Sequence, residues 1–180
     1  MSRKNIIKIV FIMVMGVLAA PAAAAPINYA LGGTVTASSS WAGNGPANVI
    51  DGNSSTVWNS GGFLLAWIQI DLGVSQMINE VDAFVVQSPA GNTVHNLYLD
   101  NVLMHTWNQV TSNGDLLTWV LPAATNVQLI KLETVTSPSW VAWGEISVLG
   151  NAAQVPAPTA FVLLALGLVA VVSMKKYQSA

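Results

Sequence analysis

The sequence predicts an all-β fold, an antiparallel jelly-roll sandwich of about eight strands. Three observations predict it. Short alternations of apolar and polar residues recur between Asn28 and Gly150. Clusters of Gly, Pro, Asn, Asp and Ser separate them at regular intervals. Almost no part of that region repeats its apolar residues at helical spacing. Alternation puts every second side chain on one sheet face, and short strands bury such faces by packing two sheets together.

In chain order, Asn28 to Ser40 reads as a short strand around Thr34-Val35-Thr36-Ala37 that enters a Ser-rich loop. Trp41-Ala42-Gly43-Asn44-Gly45-Pro46 is a loop by its Gly, Asn and Pro content. Ala47 to Ser60 is a polar loop with an Asp51-Gly52-Asn53 corner. A strand follows over Trp67–Leu72, where Ile68, Ile70 and Leu72 alternate with Gln69 and Asp71. Met77–Gln87 is a separate, longer strand carrying Ile78, Val81 and Val85. Ser88 to Asn92 is a turn. His95–Leu99 and Val102–Trp107 flank Asp100-Asn101, a hairpin connection. That hairpin sets Leu99 opposite Val102, His95 opposite Thr106 and His105 opposite Asn96. The histidines are then diagonal neighbours: a surface pair, or in the minority reading a weak metal site or hydroxyl-binding His. Thr111 to Asp115 is a turn, Leu116–Leu121 and Val127–Val135 are strands, Thr136 to Trp140 is a loop, and Trp143–Leu149 closes the domain.

Both ends of the chain carry other signals. Residues 1–25 read as a signal peptide: Arg3, Lys4 and Lys8, an apolar run from Ile9 to Leu18, then small residues to Ala25. Residues 26–150 form one domain. Residues 151–159 are a linker containing Val155-Pro156-Ala157-Pro158, and residues 160–176 are an apolar helix with a basic end, Lys175-Lys176, before a 177–180 tail. The apolar run is short for a bilayer, which needs about 20 residues. The lysines set its orientation, leaving everything before it outside.

Charge excludes several functions. All eight acidic residues lie in the central domain, but only Lys131 of the six basic ones does, which leaves minus seven there. A domain with one Lys and no Arg has no electrostatic footprint for nucleic acid. Without Cys there is no disulfide, thiolate metal site or thiol catalysis. No Ser-His-Asp order, zinc motif or phosphate loop stands out, so the chain is not expected to be an enzyme.

The Ala47–Ser60 loop offers a carboxylate at Asp51, a sharp turn at Gly52, and a hydroxyl and carbonyl at Thr56. Hard cations such as calcium take that oxygen mixture. A tight turn capped by Asp and Thr is the other reading. Seven Trp lie in the domain. Trp58, Trp67, Trp107, Trp119 and Trp143 read as packing residues. Trp41 and Trp140 sit in polar loops, where an indole can stack on a sugar ring and donate its N–H to a hydroxyl. Asn44, Asn59 and Ser139 are the nearby hydrogen-bonding candidates for such a site. Folding of both rings back onto the sandwich end is the alternative.

The chain resembles the discoidin family, also called the coagulation factor V/VIII type C domain. The resemblance runs through Asn28-Tyr29-Ala30-Leu31-Gly32-Gly33-Thr34-Val35-Thr36-Ala37-Ser38, then Ile50-Asp51-Gly52 and Thr56-Val57-Trp58. It continues with Trp67-Ile68-Gln69-Ile70-Asp71-Leu72-Gly73, Ile78-Asn79-Glu80-Val81, and Gly144 to Gly150. It implies an eight-stranded, galactose-binding-domain-like jelly roll, and for bacterial members a carbohydrate-binding module. It also implies a structural calcium held by Asp51 and Thr56, carbonyls near Asn48 and Asn53, and the Glu145 carboxylate. Galactose-binding relatives use an Arg and a His beside an aromatic platform, whereas this domain has no Arg and carries Val57 where an Arg is common.

The C-terminal residues resemble a PEP-CTERM sorting signal: Val155, Pro156 and Pro158, a short apolar span, and Lys175-Lys176, with Ala157 replacing the usual Glu. The resemblance implies an exported bacterial protein of the envelope, cell surface or extracellular matrix. Signal peptidase and an exosortase-type enzyme would process it, with the C-terminal segment in the membrane beforehand. A plain membrane anchor is the alternative. The expected function is binding of exopolysaccharide or another envelope glycan. The runner-up is a non-catalytic adhesive matrix protein that binds protein partners, or lipid heads through loop residues such as Trp41 or Phe63-Leu64-Leu65.

Overall fold

A computed structural model describes residues 25–63 and 65–151. All but the last residue of the expected leader, the Val155–Pro158 motif, the apolar segment and Lys175-Lys176 lie outside the described residues. Among the described residues no helix is long and apolar enough to cross a membrane.

The strands are β1 (Ile27–Asn28), β2 (Thr34–Ala37), β3 (Trp58–Asn59), β4 (Ala66–Val85), β5 (Gly91–Leu99), β6 (Val102–Thr111), β7 (Leu116–Thr136) and β8 (Ala142–Gly150). They pair antiparallel in the order β1-β8-β4-β7-β5-β6, with β2 added to β4 and β3 to β8. The expected all-β antiparallel sandwich is thus present.

Its layers are made differently from the expectation. The sequence suggested four separate strands over 67–72, 77–87, 116–121 and 127–135. The structure has two, β4 of 20 residues and β7 of 21. The start of β4 pairs with the end of β7 (Ala66↔Thr134 to Asp71↔Leu129), and the end of β4 with the start of β7 (Glu80↔Val120 to Phe84↔Leu116). A bridge of three pairs, Gln76↔Val127 to Ile78↔Thr125, keeps the ladder running through the bend. Each strand therefore serves both layers. Gly73, at φ 78°, makes the bend, and its N–H donates to Asp71 Oδ1 at 2.8 Å. Pro122 falls between the paired positions Val120 and Thr125, where its missing N–H costs no ladder bond.

Between the layers lie Ile68, Ile70, Ile78, Val81, Leu97, Ile130, Leu132 and Ile146, each 1 % exposed or less. Burying each contributes about 1.5–3 kcal/mol. Trp58 and Trp143 face each other in the β3–β8 register and are fully buried. The Trp58 Nε1–H donates to Ser39 O at 2.9 Å, so the polar edge of the ring is satisfied inside the core.

The hairpin forms with Asp100 and Asn101 at φ 47° and 68°, the signature of a type I′ turn, and with Leu99 opposite Val102. Beyond that pair the expected register fails. A bulge at Met104 sets His105 opposite Leu97, Thr106 opposite Asn96 and Trp107 opposite His95. The extra residue turns His105 and Trp107 toward the interior. The histidines are therefore not a surface pair. His95 is 3 % exposed, lies edge-on to Trp143 at 4.7 Å, and shares a 2.9 Å hydrogen bond between Nδ1 and Thr134 Oγ1. Half-buried His105 is stacked on Trp119 at 5.6 Å and edge-on to Trp107 at 4.8 Å.

Candidate functional site

Antiparallel pairing gathers the 86–90, 112–115 and 137–141 connections at one end of the sandwich, since Phe84 pairs with Leu116, Gly91 with Thr111 and Val85 with Trp143. The 59–63 segment joins them. Ser60 N–H donates to Val141 O and Val141 N–H to Gly62 O, both at 2.9 Å. These bonds zip the Trp140 loop to the Phe63 loop. A third loop is strapped on by Trp41 N–H to Asn59 O at 2.7 Å, Asn44 N–H to Trp41 O at 3.0 Å and Asn59 N–H to Asn44 O at 3.4 Å. Gly61, at φ 73°, lies under the Trp41 ring; a Cβ there would come within 3.3 Å of it.

The result is an aromatic cluster. Trp41 and Trp140, distant in sequence, have ring centroids 4.9 Å apart at 49°, and Phe63 meets Trp140 edge-on at 6.3 Å. Trp41 and Phe63 remain 51 % and 54 % exposed. Beside them opens a cleft of about 700 Å³ whose lining includes Asn59, Phe63, Asn113, Pro138, Ser139 and Trp140. Of the sequence candidates, Asn59, Ser139 and Trp140 line the cleft. Trp41 flanks it through Trp140, and Asn44 holds the Trp41 loop without lining the cleft. Sequence reasoning missed Asn113 and treated Phe63 only as an apolar spike. The signal for Asn113 was the turn between β6 and β7, which ends at the same sandwich end as the Trp140 loop.

A second cluster forms where the Asp51 corner meets β8. Asp51 Oδ1 accepts from Asn53 N–H at 2.8 Å, and Asn48 Nδ2–H donates to Val57 O at 2.8 Å, which shapes the loop. Thr56 Oγ1 lies 2.8 Å from Asp51 Oδ2, 2.7 Å from Asn53 O and 3.3 Å from Asn48 O. A hydroxyl has a single proton. It can answer only one of these acceptors at a time, so the oxygens converge with too few protons among them. Glu145, from β8, completes the cluster. Both its carboxylate oxygens are shielded from solvent without a hydrogen-bond partner. Burial pushes its pKa up, the Gly52 N–H partly opposes this, and the Asp51 carboxylate adds to the rise. Asp51, Thr56 and the Asn48 and Asn53 main-chain carbonyls thus meet at the Thr56 hydroxyl, and Glu145 lies near enough to feel the Asp51 carboxylate and the Gly52 N–H. This donor set fits a hard cation: carboxylate, hydroxyl and carbonyl oxygen, one carboxylate shielded from solvent without a geometric hydrogen-bond partner.

Fold and cleft together define a class of protein, a jelly-roll domain with an aromatic cleft at its loop end. Several solved structures are similar to the chain. One is the family 32 carbohydrate-binding module of NanJ from C. perfringens, in complex with galactose. It has TM-score 0.58 and 17% identity, over 69% of this chain and 98% of that one. Another is the family 32 module of AlyQ in complex with 4,5-unsaturated mannuronic acid, with TM-score 0.53 and 26% identity over 64% and 92% of the two chains. A third is the lectin domain of Lectinolysin complexed with Lewis B antigen, with TM-score 0.58 and 21% identity over 71% and 98%. No curated protein matches the chain. Residues 34–148 match the F5/8 type C domain, and the chain belongs to that family.

Proposed function

We propose that the protein is a non-catalytic glycan-binding module of an exported bacterial protein, directed to exopolysaccharide or another envelope glycan. The observation that carries this reading is the Trp41–Trp140–Phe63 cluster beside a cleft of uncharged hydrogen-bonding side chains. An indole face covers the C–H face of a sugar ring, and neighbouring amides and hydroxyls meet its hydroxyl groups. Three structural neighbours, in complex with galactose, an unsaturated mannuronic acid and Lewis B antigen, support glycan binding as such and carry no common charge preference. Export, processing by signal peptidase and an exosortase-type enzyme, and a membrane-held C-terminal segment beforehand belong to the same proposal. They rest on residues 1–25 and on Val155, Pro156, Pro158, Lys175 and Lys176.

Calcium is part of the proposal as a structural ion. Asp51, Thr56, Glu145 and the Asn48 and Asn53 carbonyls would hold it. When bound it supplies positive charge that offsets Glu145 and ties the loop to β8.

The test is a glycan-panel titration of the full chain with calcium present, repeated with Trp140→Ala. Saturable binding that weakens about ten-fold or more in a folded variant supports the reading. Absence of binding to every glycan, with a folded domain, refutes it. A second reading, adhesion to protein partners, draws on the exposed apolar side chains Val102, Leu103 and Val110 of β6 and Leu116 and Val120 of β7.

A further inference from the structure

We infer that the cleft selects neutral glycans and rejects uronates and other anionic sugars; this rests on the glycan-binding reading above. Among the described residues no charged side chain lines the cleft: its polar walls are Asn59, Gln87, Ser88, Asn113 and Ser139. The one cation among the described residues, Lys131, is elsewhere. Its Nζ lies 4.2 Å over the Tyr98 ring, and Lys131 pairs with Tyr98 next to the 100–101 hairpin turn. The cleft is at the other end of β5, where Gly91 lies against Pro138. At the ordinary rise of a strand the two ends are about 20 Å apart. That exceeds the screening length of about 8 Å at physiological ionic strength.

Nearer the cleft the charge has the wrong sign for an anion. Asp115 sits in the same turn as Asn113, its Oδ2 accepting from Ser112 N–H at 2.8 Å. The domain as a whole carries eight carboxylates against Lys131. A uronate entering the cleft would lose water from its carboxylate with no cation to replace it, which is costly.

The free hydrogen-bonding valences point the same way. Gln87 is tied at both ends to Thr111, by Nε2–H to the carbonyl and by Oε1 from the hydroxyl, each at 2.9 Å. Asn59 Oδ1 is occupied by Gly61 N–H at 2.8 Å, leaving its NH2 to donate. Ser139 Oγ–H donates to Trp140 O at 3.1 Å, leaving its oxygen to accept. A sugar hydroxyl both donates and accepts and satisfies this mixture. A carboxylate only accepts, so it can use the Asn59 NH2 but leaves the Ser139 oxygen without a donor.

The experiment uses the full chain with calcium fixed and pairs of polymers that differ in charge: methyl-esterified and de-esterified polygalacturonate, mannan and polymannuronate, with chitin oligosaccharides added. The expected result is binding to at least one neutral member about ten-fold or more tighter than to any carboxylated one. Raising salt from about 50 to 500 mM should leave that neutral affinity within a factor of about two. Asn113→Lys, at an exposed turn position, should raise affinity for the carboxylated polymers. Carboxylated polymers bound as tightly as neutral ones overturn the inference and leave glycan binding standing. So does a neutral preference that Asn113→Lys leaves unchanged. Binding to no member of the panel overturns the glycan reading itself.

Discussion

Mild acid should destabilise the domain through His95. Burial lowers its pKa from 6.5 to about 4, because an imidazolium at this site would give up its hydration. Thr134 Oγ1 meets Nδ1 at 2.9 Å, but Nε2 is buried with no partner, and Trp143 presses on the ring. The unfolded chain binds a proton here near pH 6.5 whereas the folded chain does not until about pH 4. The folded pKa is the lower one, so stability is complete above the unfolded value and falls as the pH drops between the two. Linkage over that interval gives a loss of about 2 kcal/mol between pH 7.5 and 5, before most carboxylates titrate. Urea denaturation at half-unit pH intervals measures this, with His95→Gln as the comparison and His105→Gln as a control, because burial lowers the His105 pKa too. The His95→Gln protein starts less stable but loses much less on acidification. A wild-type stability flat from pH 7.5 to 5, or an equal loss in His95→Gln, refutes the argument.

Three further outcomes follow from particular contacts. Glu145→Gln removes a buried, unpartnered charge, so calcium-free protein should gain about 1 kcal/mol in denaturation while losing the thermal shift that calcium gives the wild type; an unchanged calcium shift would count against the site. Gly150→Ala would drive its Cβ into the Met77 carbonyl and to 2.7 Å from the Tyr29 ring, costing about 2–3 kcal/mol in urea denaturation. Trp58→Phe deprives the Ser39 carbonyl of its 2.9 Å indole donor and shrinks a fully buried side chain; thermal unfolding should report a loss of about 1–3 kcal/mol.

Much of the fold was legible because the relevant signals are local. Thr34–Ala37 is β2, the centre of the strand expected within Asn28 to Ser40, and the alternation of Ile68, Ile70 and Leu72 marks their burial. Asp100-Asn101 makes the expected turn because these residue types tolerate positive φ. Two features were illegible for one reason: they depend on a partner strand. The strands expected to end at Leu72 and Leu121 run on past Gly73 and Pro122, because β4 and β7 bend together and the ladder continues. Alternation places His95 on the face of Leu97 and Leu99, but nothing local announces the Met104 bulge that brings His105 inward.

The sequence by itself determined the class of fold, the acidic balance with Lys131 as the domain's one cation, and the residue types of both clusters. Periodicity, composition and turn chemistry are properties of neighbouring residues, so they survive without coordinates. Tertiary structure alone decided which loops share an end. It brought Trp41 to 4.9 Å from Trp140, added Phe63 and Asn113 to the cleft, and set the unpartnered Glu145 carboxylate against the Asp51 corner. Those meetings are set by strand order and by the bend of β4 and β7, which are long-range pairings that local residue pattern does not encode.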